Sequence, residues 1–118
     1  MDKLCYSLSA FDVNIREYFR KLRKEQKLFD VTLATKDGQH IQAHKIILSS
    51  GSYFFSEIFM KSDHSKMLVY LKGISNKGLQ QVLDFLYNGE VSIDQENMND
   101  FLETCKELEV KGLYDKFT

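Results

Sequence analysis

His40 and His44 lie four positions apart, a spacing at which two imidazoles on one helix face grip a metal ion. That grip needs a helix, and His40 falls in a stretch that alternates like a strand, so no metal is expected. His44, between Ala43 and Lys45 at a strand-to-helix junction, is expected to be a partly buried histidine hydrogen-bonded to nearby backbone. Ser49, Ser50 and Ser52 have the hydroxyls of nucleophiles. No glycine-flanked elbow surrounds them and no histidine and acid are arranged nearby, which leaves turn and capping duties. Cys105 lies on an apolar helical stripe, where a thiol behaves as a small hydrophobe; Cys5, near the terminus, should be more exposed. The two cysteines stand a hundred positions apart with no paired or metal-type spacing, which suits a reducing, intracellular compartment.

The glycines at 38, 51, 73, 78, 89 and 112 are dispersed, so no loop can cradle a phosphate. Glu103, Glu107 and Glu109 decorate the polar side of a helix without the geometry of a catalytic carboxylate pair. No enzyme activity and no cofactor are expected. Arg16, Arg20, Lys21, Arg23, Lys24 and Lys27 form a basic cluster toward the end of the first helix, where cations oppose the negative pole of its dipole. Glu17 and Glu25 interrupt the cluster and no stacking aromatics are interleaved, so it reads as solvated surface rather than a nucleic-acid site. A formal charge of −1 gives no general attraction to nucleic acid or anionic membrane. No window approaches the roughly eighteen consecutive apolar residues of a membrane span.

The elements that must position these residues follow from period. With 118 residues and 43% hydrophobic content, a single core is expected, burying roughly two thirds of the unfolded surface. Leu4, Tyr6 and Leu8 alternate with Cys5 and Ser7, as in a short strand with one apolar face and no local partner. Ser9-Ala10-Phe11-Asp12 resembles a capping box, and Phe11, Ile15, Phe19 and Leu22, with Tyr18 at the border, make the stripe of a helix ending near Gln26. Val31 and Leu33, a two-residue turn at Asp37-Gly38, then Ile41 and Ala43 predict a β-hairpin. A helical hairpin follows, with Ile46-Ile47-Leu48 in one segment, a break at Gly51-Ser52, and Phe54, Phe55, Ile58 and Phe59 in the next. Met67, Val69 and Leu71 predict a third strand, partnered by the hairpin. Leu79, Val82, Leu83 and Leu86 predict a helix that starts after Ser75 and stops at Asn88-Gly89. Val91 and Ile93 fit a brief strand. A last helix, capped from Ser92 or Asp94, carries Met98, Phe101, Leu102, Cys105 and Leu108 and ends before Gly112. With no proline, repeat or low-complexity tract, nothing marks an internal boundary.

A lone N-terminal strand exposes backbone groups that another chain's sheet edge can satisfy. Phe11, Ile15, Tyr18 and Phe19 add large apolar surface beside it. Periodicity alone leaves two readings open: these side chains pack within one monomer, or they anchor a dimer.

Motifs along the chain bear on that choice. Phe29-Asp30-Val31-Thr32-Leu33 is followed after a turn by Ile41-Gln42-Ala43-His44-Lys45-Ile46-Ile47-Leu48-Ser49-Ser50-Gly51-Ser52-Tyr53-Phe54-Phe55. Leu83-Asp84-Phe85-Leu86-Tyr87-Asn88-Gly89-Glu90-Val91 and Glu107-Leu108-Glu109-Val110-Lys111-Gly112-Leu113 come after. In this order they resemble the signature of the BTB/POZ domain over nearly the whole chain. The resemblance implies an α+β fold, a helical cluster flanked by a short-stranded sheet. It implies one domain over residues 1–118, with residues 1–27 as a dimerisation extension and 28–113 as the core. For function it implies homo-oligomerisation within a nuclear transcription or chromatin regulator, bringing attached DNA-binding modules together. The implied dimer interface holds Leu4, Tyr6, Leu8, Phe11, Ile15, Tyr18, Phe19, Ile46 and Ile47. Asp30 and Lys45 match the family's buried charged pocket, and Ser49, Ser50 and Gly51 match the wall of a groove that takes co-repressor peptides. Implied partners are a second copy, heteromeric BTB chains or co-regulators, with neither nucleic acid nor membrane bound by the domain itself.

Cys5-Tyr6-Ser7-Leu8, Phe11 and Asn14 resemble the N-terminal motif of the arthropod Tramtrack group, whose members often assemble beyond dimers. Here Tyr6-Ser7-Leu8 stands where Leu-Arg-Trp is common. The alternative role in the wider family is substrate adaptor of a cullin-type ubiquitin ligase. That role uses a hydrophobic-x-Glu motif, and residues 61–66 lack the glutamate. The zinc-ligand set of channel tetramerisation domains is absent from the sequence.

Overall fold

The computed structural model describes residues 2–62 and 64–113. Helix α1 (Phe11–Glu25) leads to β1 (Val31–Ala34) and β2 (His40–Ala43), then to α2 (Lys45–Gly51), α3 (Tyr53–Lys61) and β3 (Met67–Tyr70). Helix α4 (Asn76–Asn88) and, after a 3-10 turn over Gln95–Asn97, helix α5 (Met98–Glu107) complete the α+β order that was expected. The sheet runs β2-β1-β3, with β1 antiparallel to β2 and parallel to β3.

The hairpin has a three-residue loop where two were expected. Thr35 still bonds Gln39 at 3.0 Å, and Gly38 takes φ 79° while donating to the Thr35 carbonyl at 3.1 Å. That is a turn followed by one left-handed residue, the position glycine fills without a Cβ clash. Asp37 at the loop tip accepts the Asn76 N–H at 3.0 Å, so the hairpin caps the start of α4 together with the side chain of Ser75. The Thr35 hydroxyl, donated to Asp37, holds that carboxyl below the usual range.

The core lies between the sheet and the helices. Leu33, Ala43, Leu48, Phe55, Leu79, Val82 and Val110 are fully buried, drawn from every layer. The close of the chain reaches it by pairing: Val110 bridges Ser52, and Lys111 donates to the Gly51 carbonyl at 2.8 Å. Ser52, entirely buried, donates to the Leu108 carbonyl and accepts the Phe55 N–H at 3.1 Å. It therefore caps α3 and anchors the last segment at once.

Four local expectations fail. Residues 2–8 form no strand within the chain. Ser9 and Asp12 make no capping box: Ala10 occupies the N-cap with φ 55° and no side chain caps the end. Val91 and Ile93 form no strand, and neither Ser92 nor Asp94 caps a helix. The first and third failures share a cause. A strand needs a ladder partner, and neither segment has one among the described residues.

Candidate interaction surface

Helix α1 docks on α4 through its second half. Leu22 is buried, Phe19 is half-buried, and Arg23 places Nη1 2.9 Å from the Asp84 carboxylate with its guanidinium 4.9 Å over the Tyr87 ring. Arg20 donates to the Asn88 carbonyl at 3.3 Å, at the negative end of α4. Two members of the basic cluster are thus docking residues, which corrects its reading as solvated surface. Lys21 and Lys27 keep to Glu25 at the periphery.

The first half of α1 and the arm before it are bare. Leu4, Tyr6 and Leu8 are 80%, 87% and 70% exposed, and Phe11 and Tyr18 are each more than half exposed. Leu8, Phe11, Ile15, Tyr18 and Phe19 line one apolar furrow of about 430 Å³. Sharing Ile15 and Phe19 with it, a cleft of about 360 Å³ runs between α1, α2 and α4. Ile15, Phe19, Ile46, Ile47 and Leu86 line it, with Ser50 at its side. The chain's radius of gyration, 16.1 Å, exceeds the roughly 13.5 Å of a compact chain of this length.

The residues singled out in the sequence divide accordingly. Leu4, Tyr6, Leu8, Phe11, Ile15, Tyr18 and Ile46 are exposed, while Phe19 and Ile47 are half-buried behind them. Of the groove residues, Ser50 lines the cleft, Ser49 is half-buried beside it, and Gly51 faces inward, where an added Cβ would come within 2.3 Å of Leu86. The cleft's apolar walls come from α1, α2 and α4, so Leu86 and Tyr87 belong to it although the motif pointed only at Ser49, Ser50 and Gly51. Their signal was the α4 stripe, which reads as core until the cleft opens beside it.

Asp30 is exposed, and its carboxylate accepts the backbone N–H of Lys45 at 2.7 Å, at the start of α2. The Lys45 ammonium turns instead to the His64 carbonyl and stands 5.8 Å over the Phe59 ring. Within one chain the two charges are neighbours joined through backbone, with solvent on the Asp30 side.

His44 is buried among Phe19, Phe29 and Tyr87. Its Nε2 lies 2.8 Å from the Lys27 carbonyl, which only accepts, so Nε2 carries the hydrogen and Nδ1 accepts from the Tyr87 hydroxyl. Every polar atom of the ring has a partner; the expected backbone partner is the Lys27 carbonyl, while the Tyr87 hydroxyl is a side-chain partner from α4. This histidine fastens the α1–β1 connection to α2 and α4.

The BTB/POZ domain model matches residues 19–118. The Longitudinals lacking protein-like of Drosophila melanogaster is 41% identical over 103 residues, covering 87% of this chain and 80% of that protein. The alpha isoform of Protein tramtrack, also of Drosophila melanogaster, is 36% identical over 111 residues, 94% of this chain; the chain spans only 14% of that relative's length. Among solved structures the BTB domain of zebrafish PATZ1 superimposes with a TM-score of 0.77 at 21% identity, covering 94% of this chain and 91% of that one. The resemblance to the Tramtrack group is borne out by these relatives.

Proposed function

The chain belongs to the BTB/POZ family, and on that premise we propose that it is the homo-oligomerisation module of a nuclear transcription or chromatin regulator. The observation that carries this reading is the bare apolar arm and the first half of α1. A contiguous row of Leu4, Tyr6, Leu8 and Phe11 left in water is the mark of a surface meant to be covered. A second copy supplies the cover. The arm reads as a strand and stays unpaired, and so does the segment around Val91 and Ile93; laid against each other across two copies, each is the ladder partner the other lacks. The arm and α1 of one copy then seat beside the α1–α2–α4 cleft of the other, and Ile46 is covered with them. In that assembly the exposed side of Asp30 becomes an interface, and its charge sits with Lys45 in a desolvated pocket. Two copies joined in this way hold attached DNA-binding modules together, raising apparent affinity through effective concentration without any base contact of their own.

Light scattering after size exclusion, over a dilution series, tests the reading. Two or more chains of 13.8 kDa are expected, and Phe11→Asp, on the exposed face, should abolish the association made through the arm and lower the mass. Asp30→Asn keeps an oxygen for the Lys45 N–H and removes only the charge. Where the pair is buried by association, leaving Lys45 unpaired costs roughly 3–5 kcal/mol, so dissociation should move to concentrations higher by at least two orders of magnitude. A wild-type chain that stays monomeric at every concentration sinks the proposal.

A further inference from the structure

The two unpaired segments carry charges that match. The arm residues Lys3-Leu4-Cys5-Tyr6-Ser7 are all exposed. The segment Glu90-Val91-Ser92-Ile93-Asp94 runs between the left-handed Gly89 that ends α4 and the 3-10 turn that begins at Gln95. Its exposure alternates as a strand's does: Val91 and Ile93 are half-buried against the core, while Glu90, Ser92 and Asp94 stand in solvent. Beside it opens a concavity of about 760 Å³, lined by Arg20, Asp84, Asn88 and the first three residues of the segment. Arg20 and Asp84 are engaged there with the Asn88 carbonyl and with Arg23. Among the described residues, Lys3, Glu90 and Asp94 are in no ion pair.

The segment reads the same from both ends: acid, apolar, serine, apolar, acid. An arm laid along it with Leu4 and Tyr6 beside Val91 and Ile93 therefore meets the same chemistry whichever way it runs. Antiparallel, Lys3 stands opposite Asp94; parallel, it stands opposite Glu90. In both directions Cys5 falls opposite Ser92. Sliding the arm by two residues either sets Asp2 against an apolar residue or carries Lys3 beyond the segment. We propose that the two carboxylates are a charge code for partner choice: the segment accepts an arm with a cation at the place of Lys3 and refuses one with an acid there. The inference rests on the pairing of arm and segment proposed above and adds which chains can enter it. Opposite charges across a ladder favour it and like charges oppose it, and refusing the wrong partner contributes to specificity alongside attracting the right one. A dimer that exchanges arms makes the contact twice, so one changed residue acts twice. A second copy of this chain satisfies the code; a heteromeric partner does so only with a basic arm.

A charge exchange tests this. Lys3→Glu, and the double variant Glu90→Lys with Asp94→Lys, change only exposed residues, so both should keep the wild-type circular dichroism. In light scattering at low salt, each alone should associate only at concentrations roughly tenfold higher than wild type. An equimolar mixture of the two restores both contacts and should yield, by native mass spectrometry, a two-chain species holding one of each. In about 1 M salt, where the screening length is about 3 Å, the differences should shrink. Ser92→Cys should form a covalent two-chain band with the native Cys5 under mild oxidation, lost on Cys5→Ser, because residues opposite one another on paired strands lie within disulfide reach. Variants that associate like wild type, or a mixture that associates no better than its parts, overturn the charge code, and the lack of a Cys5-dependent band overturns the register. A wild-type chain that never associates overturns instead the pairing on which the code rests.

Discussion

The hydroxyl of Tyr87 accepts the His44 N–H at 3.0 Å and donates back to Nδ1 of the same residue, with both residues buried. Tyr87→Phe strands two buried groups of His44, so it should cost about 1–3 kcal/mol in urea unfolding. Burial also pushes the Tyr87 hydroxyl up to about 12, above the value of about 10 for an unfolded tyrosine. The folded chain thus keeps its proton where the unfolded chain has lost it. This stabilisation is complete below about pH 10 and fades as pH rises from 10 through 12, by at most about 2.7 kcal/mol. The gap between wild type and Tyr87→Phe should therefore narrow between pH 8 and pH 11; a constant gap would show the hydroxyl to be solvated. The thiols separate just as cleanly. Burial pushes Cys105 up to about 11, and its side chain is 1% exposed, whereas Cys5 is exposed. A thiol reagent should titrate Cys5 in the native protein and reach Cys105 only in denaturant.

Among the helices, α4 packs close against α5 at Gly78, where an added Cβ would stand 2.8 Å from Thr104 Oγ1. That hydroxyl cannot simply swing away, because it belongs to a β-branched side chain and bonds the Asp100 carbonyl at 2.8 Å. Gly78→Ala gains about 1 kcal/mol of helix propensity and meets an overpacking cost of about 1–3 kcal/mol. A lower melting temperature is expected, and a higher one would mean that the two helices slide apart freely. Asp37→Ala, which removes the remote cap of α4, should also lower it. Both details were hidden in the sequence for the same reason. The stripes of α1, α4 and α5 and the hairpin alternation are local and legible, but Asp37 meets Asn76 from 39 positions away, and Gly78 earns its size from a residue on another helix. The failed caps at Ser9 and Asp94 show the converse, since a favourable tetrapeptide does not ensure that the chain enters its helix by that route.

At the level of the molecule, the legible part of the surface was the part with a period. The arm's alternation predicted a strand, and the single chain forms none there, because a ladder cannot be made by one strand. Leu68 and Tyr70, both exposed, went unremarked because Met67, Val69 and Leu71 already supplied an apolar face, and the unbroken apolar run hid a second one. The bare arm predicts a mass that depends on concentration, and a mass fixed at 13.8 kDa by light scattering would refute it. The bridge from Ser52 to Val110 has a further consequence for the order of events during synthesis. Leu108 and Val110 are core residues, so the core cannot close until they have emerged from the ribosome. At roughly 5–20 residues per second the arm, made first, waits on the order of ten seconds beside an unfinished domain. Neighbouring ribosomes on one message carry the same arm at the same time, so the proposed pairing would begin on the polysome.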